Sequence, residues 1–410
     1  MIFNNGLKAL LTLVALSGYV LAAVTHQQES APAIKIFAPT VEQAMVKNMG
    51  SIPFAVNPSY ILAGGKSIRK YKKQIGTANA TFIILARNSE AGGLVQSITQ
   101  LEKVFNSKYH YPYVILNDAH FTEEFINTIL NLTESEVKFG FVDKDMWGYP
   151  DWVDQKKAAD GRAKAVKDGV PYADSESYRH MCRFQSGYFF RHPLMMDYQY
   201  YWRVEPGVSY HCDIDYDVFG LMAAKKYKYG WTLSLTDYPN TLQTFWHTVV
   251  DWMKQHPEWM TTGNSSISKW IHDDDKNETY NFCHFWSNFE VGDLNWLRSE
   301  QYVSYFEHLD KSGGFFYERW GDAPVHSVAV ALMLKESEVH FFNDIGYTHP
   351  PFMHCPTEPE MKSKCNCDPT KTFETGTWQC NPRMAKIAPN YKWSMDQLKQ
   401  ETKPFAYKKL

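Results

Sequence analysis

The sequence predicts an α/β fold built on a parallel sheet, on three observations. Short apolar runs of strand type recur between residues 81 and 142, segments of helical period separate them, and a later strand ends in a cluster of carboxylates and an arginine. Strand, helix, strand, helix, strand in that order favours parallel pairing through right-handed crossovers. At 410 residues the chain suits one large domain or two fused halves.

The first strand is Thr81–Arg87, TFIILAR, ending at Arg87-Asn88. Apolar residues at 94, 95, 98, 101, 104 and 105 then mark a helix from Leu94 to Phe105. A second buried strand runs from Tyr113 to Asn117-Asp118, and Thr122 is a candidate N-cap for a helix reaching Leu132. Val137–Val142 is the third strand, and the charged segment Asp154–Asp168 reads as a solvated helix. The second half, rich in aromatic runs, reads as an α+β elaboration of the same sheet. Ligands of such sheets bind at the carboxyl ends of the strands, where Arg87, Asn88, Asn117 and Asp118 fall. No Gly-x-Gly-x-x-Gly follows the first strand and no P-loop is present, which argues against the usual dinucleotide and P-loop sites.

Outside this frame the chain carries an address. Residues 7–24 are apolar or small apart from Lys8, Thr12, Ser17 and Tyr19, and the next charge is Glu29. The run fits an uncleaved signal anchor or a cleaved signal peptide ending near Leu21-Ala22-Ala23. Either places the bulk of the chain in the secretory lumen. Sequons at Asn79, Asn131, Asn264 and Asn277 agree with that placement. Residues 25–75 have no sustained period and read as a stem. Seven cysteines in an oxidising compartment leave at least one outside intramolecular bridges. The Cys355–Cys380 cluster lacks paired C-x2-C knuckles, which favours disulfides over zinc. A net charge of −3 gives no basic excess for a nucleic-acid backbone. Aromatics make up 15% of residues, enough to supply both core and sugar-stacking rings.

Five constellations carry chemistry. In Tyr200–Pro206, YYWRVEP, Arg203 and Glu205 are two apart and share one face of a strand, setting a carboxylate for a cation beside a guanidinium for phosphate. A structural ion pair is the competing reading. The run Cys212–Asp217 holds Asp213, Asp215 and Asp217 in a D-x-D pattern that suits a cation or a half-exposed strand. In Asn281–Asp293, Glu290 sits among Phe285, Trp286 and Phe289, where a carboxylate needs a partner or a chemical purpose, or caps a helix running through Leu297. In Tyr317–His326, YERWGDAPVH, Asp322 is a candidate site residue or an N-cap of the apolar helix through Leu334. In Gly346–Phe352, His349 stands before two prolines that stiffen its backbone, which suits a metal ligand or a structural histidine.

Taken together, YWRVEP, CDIDYDVF, HFWSNFE, YERWGDAPVH and GYxHPPF resemble the fungal Golgi α-1,2-mannosyltransferases, glycosyltransferase family 15, from about Thr81 to Cys355. The resemblance implies a GT-A-like nucleotide-sugar transferase fold: one large catalytic domain with a mixed central sheet flanked by helices. It implies a GDP-mannose donor, Mn²⁺, and transfer of mannose to the 2-hydroxyl of an α-mannoside on glycoprotein glycans with retention of configuration. On this chain it would give Glu205 and His349 to the metal, and Arg87, Arg203 and Asn288 to the donor. Tyr178 would lie near donor sugar and acceptor, Glu290 would be the candidate nucleophile, and Asp322 would position or activate the acceptor. The metal expectation thereby moves from the Asp run to Glu205. The implied topology is a single-pass Golgi membrane protein: tail 1–6, anchor 7–24, stem 25–75 and luminal catalytic domain 76–410. A mannoside hydrolase and a non-catalytic mannose-binding protein are the alternatives from other classes.

Overall fold

The computed structural model describes residues 71–273, 278–376 and 378–387; the anchor, nearly all of the stem and the sequon at Asn277 lie outside them. Twelve strands are described. The first six are β1 (Ala80–Leu85), β2 (Tyr113–Asn117), β3 (Val137–Phe141), β4 (Tyr200–Arg203), β5 (Ser209–Tyr210) and β6 (Tyr229–Trp231). The rest are β7 (Ser234–Thr236), β8 (Cys283–Phe285), β9 (Val291–Asp293), β10 (Val339–Phe341), β11 (Tyr347–His349) and β12 (Phe352–His354). Seven form one sheet in the order β10-β6-β9-β4-β1-β2-β3. The pairs β1·β2, β2·β3, β1·β4 and β6·β10 are parallel, as the strand–helix alternation predicts. Strand β9 runs antiparallel between β4 and β6 and makes the sheet mixed.

The strands read as continuous apolar runs because both faces of the sheet are covered. Ile83, Val114, Leu116 and Tyr201 point into one core, and Phe82, Ile84, Tyr113, Ile115 and Trp202 into the other. Each such side chain is almost fully withdrawn from water, which stabilises by about 1.5–3 kcal/mol apiece.

Helix α1 (Ala91–Leu101) begins three residues before the sequence places it, and past Leu101 the chain continues as a wider π-type segment, Glu102–Asn106. Glu102 explains that continuation: its carboxylate accepts hydrogen bonds from Asn106, Tyr113 and Thr133 at 2.7–2.9 Å. Helix α2 (Glu123–Leu130) is capped by Thr122, whose hydroxyl accepts from the Phe125 N–H, as expected. The charged helix α3 (Gln155–Lys167) buries only Ala158, and α4 (Glu176–Gly187) is capped by Ser175. Helix α5 (Val218–Lys225) is capped by Asp217.

Helix α6 (Asp322–Met333) decides between the two readings of Asp322. Its N-cap is Gly321, so Asp322 lies in the first turn with its carboxylate engaged elsewhere. The short helix Leu294–Leu297 is capped by Asp293, which relieves Glu290 of a capping role.

The cysteines pair as Cys212–Cys365, Cys283–Cys380 and Cys355–Cys367, with Cys182 free and buried. The Cys355–Cys380 run is therefore shared among three bridges, and its thiols are not available to zinc.

Candidate active site

A cleft of about 800 Å³ opens at the carboxyl ends of β1, β2 and β4. Its walls come from far-apart segments: Arg87, Asn117 and Asp118 from the first strands, Tyr178 from α4, Arg203 and Glu205 after β4, Asp237 and Tyr238 after β7. Ser287 and Asn288, Arg319 and Asp322, and His349 complete it.

Glu205 is held by a glycine contact. The O of Gly93 accepts from the Gly207 N–H at 3.0 Å, and Ser97 donates to the Glu205 carbonyl at 2.8 Å. A Cβ on Gly93 would stand 3.0 Å from both the Gly207 nitrogen and the Pro206 Cβ, so a larger residue would require the turn to shift. Gly207 itself has φ of 80°, in the left-handed region.

Arg203 is the hub. Its Nε donates to Glu205 Oε1 at 2.7 Å and its Nη1 to Asp322 Oδ2 at 2.6 Å. Arg203 is buried, and its two carboxylate partners compensate for the desolvation of its charge. Ser287 donates to Asp322 Oδ2 at 2.7 Å. Burial alone would raise the Asp322 pKa; Arg203 above all, with His326, outweighs it and holds the carboxyl below the usual range. The two sequence readings of Arg203 thus coexist: it makes structural ion pairs and also lines the cleft.

Glu290 lies beneath this hub and does not line the cleft. It is 0% exposed. Its Oε2 accepts from Tyr229 at 3.0 Å and faces His326 Nδ1 at 2.9 Å, while Oε1 has no hydrogen-bond partner among the described residues. His326 Nε2 faces the Gln185 carbonyl at 3.0 Å. A ring with acceptors at both nitrogens carries both protons. Burial would depress the His326 pKa, but the Glu290 carboxylate raises it overall. Tyr229 is pushed well above its ordinary value, first by burial and then by Glu290, and stays a donor.

The remaining candidates fall into the same cleft. Arg87 donates to Ser177 and reaches Asp118 at 3.4 Å. The Tyr178 ring stacks on Tyr172, centroids 4.6 Å apart, and the Arg319 guanidinium lies over it at 5.4 Å. Burial keeps the Tyr178 hydroxyl protonated. Asn288 is less open than its expected role suggests: its side-chain and main-chain oxygens both accept from Tyr347, at 3.1 and 3.0 Å.

Glu205 and His349 fit a divalent cation by donor chemistry. One oxygen of Glu205 is taken by Arg203, and the side chain, 23% exposed, lines the cleft. His349 Nδ1 lies 3.1 Å from the Pro350 carbonyl; a proton there leaves Nε2 its lone pair. Among the described residues no group of three or more His, Cys, Asp or Glu converges as a metal cluster. A cation here would draw its other ligands from diphosphate oxygens and water.

The Asp run lies elsewhere. Asp217 caps α5 and accepts from Tyr111 and Thr77, Asp215 pairs with Lys364 at 2.7 Å, and Asp213 is exposed; none lines the cleft. Sequence reasoning passed over Ser287, Arg319 and His326, although all three stand inside the quoted motifs. His326 is four residues after Asp322, a spacing that places both on one side of a helix. Asp237 and Tyr238 carried no comparable signal, whereas Asn117 lines the cleft from the strand end where the sequence places it. Asn117 is 1% exposed, and among the described residues neither polar atom of its side chain has a hydrogen-bond partner.

Comparison with known proteins gives this geometry a context. A family described as glycolipid 2-alpha-mannosyltransferase matches residues 57–388, further in both directions than the motifs alone extend. Glycolipid 2-alpha-mannosyltransferase 1 of Candida albicans is 49% identical over 74% of this chain and 70% of its own. Alpha-1,2 mannosyltransferase KTR1 of Saccharomyces cerevisiae is 42% identical over 86% of this chain and 96% of its own. The solved core-mannan synthase A of Aspergillus fumigatus, in a Mn/GDP form, superposes with a TM-score of 0.71 at 37% identity, over 80% of this chain and 89% of that one. The solved mannosyltransferase Ktr4p of S. cerevisiae with GDP gives a TM-score of 0.72 at 35% identity, over 88% and 99%. The expected GT-A-like mixed sheet is the one observed, and the chain belongs to the glycolipid 2-alpha-mannosyltransferase family.

Proposed function

We propose that this chain transfers mannose from GDP-mannose to the 2-hydroxyl of an α-mannoside on glycoprotein glycans, with retention of configuration and with Mn²⁺. The observation that carries the reading is the convergence of Arg203, Glu205, Asp322 and His349 in one cleft at the strand ends. This set suits a diphosphate leaving group better than simple glycoside hydrolysis. The Mn/GDP form of the Aspergillus relative supports the same donor and metal.

Arg87 and Arg203 would orient the donor. Glu205 and His349 would hold the cation, whose charge offsets that developing on the departing diphosphate. Asp322 is ionised and held by Arg203 and Ser287, and its depressed pKa makes it a weak proton acceptor. Its role is therefore to position the acceptor hydroxyl. Glu290 has no open path to a sugar carbon from its fully buried place. That favours attack on the face from which the diphosphate departs, with Glu290 stabilising positive charge at the anomeric centre from below.

Three disulfides and exposed sequon asparagines at 79, 131 and 264 support a secretory, luminal setting. We place the catalytic domain in the Golgi lumen, tethered as a single-pass type II protein through residues 7–24. Among the described residues no helix is long and apolar enough to cross a membrane.

The test is transfer from GDP-mannose to methyl α-mannoside with and without EDTA. Product that depends on the metal is expected. Release of mannose from oligomannosides without nucleotide would favour the hydrolase, and sugar binding without turnover or GDP affinity the binding protein.

A further inference from the structure

The cleft also takes in residues after β7 and one from the C-terminal segment. A Cβ on Gly321 would stand 3.9 Å from Asp237 Oδ2, so Asp237 adjoins the start of α6. Beyond it lie Tyr238, 43% exposed, and Trp378, half-buried; their ring centroids are 5.8 Å apart at 60°. Both line the cleft. Trp378 comes from the C-terminal segment, over 50 residues after Asp322 in sequence, so its presence here needs a cause. The Thr236 N–H donates to the Trp378 carbonyl at 2.9 Å, Leu235 bridges to Gln379, and the Cys283–Cys380 disulfide ties the next turn of chain to β8.

Polar groups accompany the rings. Asp237 Oδ1 accepts from the Tyr238 N–H at 2.8 Å and from Arg319 Nη2 at 3.4 Å. Arg319 is 4% exposed, and among the described residues its Nε has no hydrogen-bond partner. Two angled rings beside a carboxylate and an under-satisfied guanidinium match a pyranose, which offers C–H faces to aromatics and hydroxyl edges to charged groups. A phosphate fits poorly against the Asp237 carboxylate.

We propose that Asp237, Tyr238 and Trp378 form a second acceptor subsite, which takes the sugar preceding the mannose that is extended. This rests on the transferase reading above. The mannose bearing the reacting hydroxyl lies over Asp322 and Tyr178, and its predecessor packs against Tyr238 and Trp378. The site therefore selects a di- or oligomannoside over a single mannose.

The test compares kcat/KM for methyl α-mannoside and methyl α-1,2-mannobioside in the wild-type chain, Tyr238→Ala, Trp378→Ala and Trp378→Phe. Each alanine variant is expected to lower the disaccharide-to-monosaccharide ratio about tenfold, through the acceptor KM, with Trp378→Phe recovering much of it. Tyr238 is exposed, so Tyr238→Ala keeps the test decisive if Trp378→Ala fails to fold. Equal losses on both acceptors, or an unchanged ratio, would overturn the subsite. A wild-type chain that transfers mannose to neither acceptor would instead overturn the transferase reading itself.

Discussion

Arg203 decides what its neighbours can do. By pairing with both Glu205 and Asp322 it joins the two carboxylates, and it holds the buried Asp322 ionised. Glu290 is fixed from the other side by Tyr229 and His326. Replacing Glu290 by Gln keeps the shape and removes the charge; we expect kcat to fall by about 10²–10³ while GDP affinity, by titration calorimetry, stays near wild type. Near wild-type turnover would remove Glu290 from the mechanism. The metal assignment has its own comparison. Glu205→Ala should lose most of the Mn²⁺-dependent part of GDP binding and Asp215→Ala little of it, because Asp215 is spent on Lys364 at the surface. The reverse order would return the cation to the Asp run. At this scale the sequence was legible where chemistry is written in contiguous motifs. Arg203, Glu205 and Asp322 all face one cleft, whereas the burial of Glu290 and the Tyr347 bonds of Asn288 depend on contacts from 59–61 residues away.

At the level of elements, the local signals worked for the first three strands and their helices, because buried parallel strands have a run length and composition of their own. They could not decide at Asp322 between a site residue and a helix cap. Gly321 takes that position, and the carboxylate turns to Arg203, a partner 119 residues away. They failed beyond Leu101, where Glu102 draws the chain into a wider turn by bonds to three side chains. The glycine of α1 that faces the Glu205 turn offers a test. Gly93→Val should destabilise the fold by about 1–3 kcal/mol in urea unfolding and displace Glu205, so that the KM for GDP-mannose rises. Wild-type stability and KM together would show that the close approach does not position the turn.

Across the whole molecule, two sets of histidines titrate in opposite senses. His192 and His340 are pushed down to about 4 by burial. For His192 the geometry agrees, since its Nδ1 accepts from the Leu194 N–H and so carries no proton. Buried neutral histidines stabilise above their unfolded pKa of 6.5, and that stability is lost as pH falls toward 4. His326 and His354 are raised: burial opposes the shift, and the carboxylates of Glu290 and Glu374 outweigh it. Their contribution is full below 6.5 and is lost as pH rises through the higher folded values. Asp322, depressed, contributes above 3.8 and loses its share only as pH falls through its lower folded value. Thermal unfolding should therefore give a Tm that peaks near roughly pH 6.5 and declines on both sides. In His326→Gln the decline on the alkaline side should be shallower. A Tm that rose steadily from pH 6 to 8 would contradict the charged state assigned to His326.

The mixed sheet and its cleft lead to one reaction, and the structure of its product is the most direct check. Wild-type chain, GDP-α-mannose, Mn²⁺ and methyl α-mannoside should yield methyl α-1,2-mannobioside, with linkage and anomeric configuration read by NMR. A β-linked product, a linkage to another hydroxyl, or free mannose as the only sugar released would contradict the account.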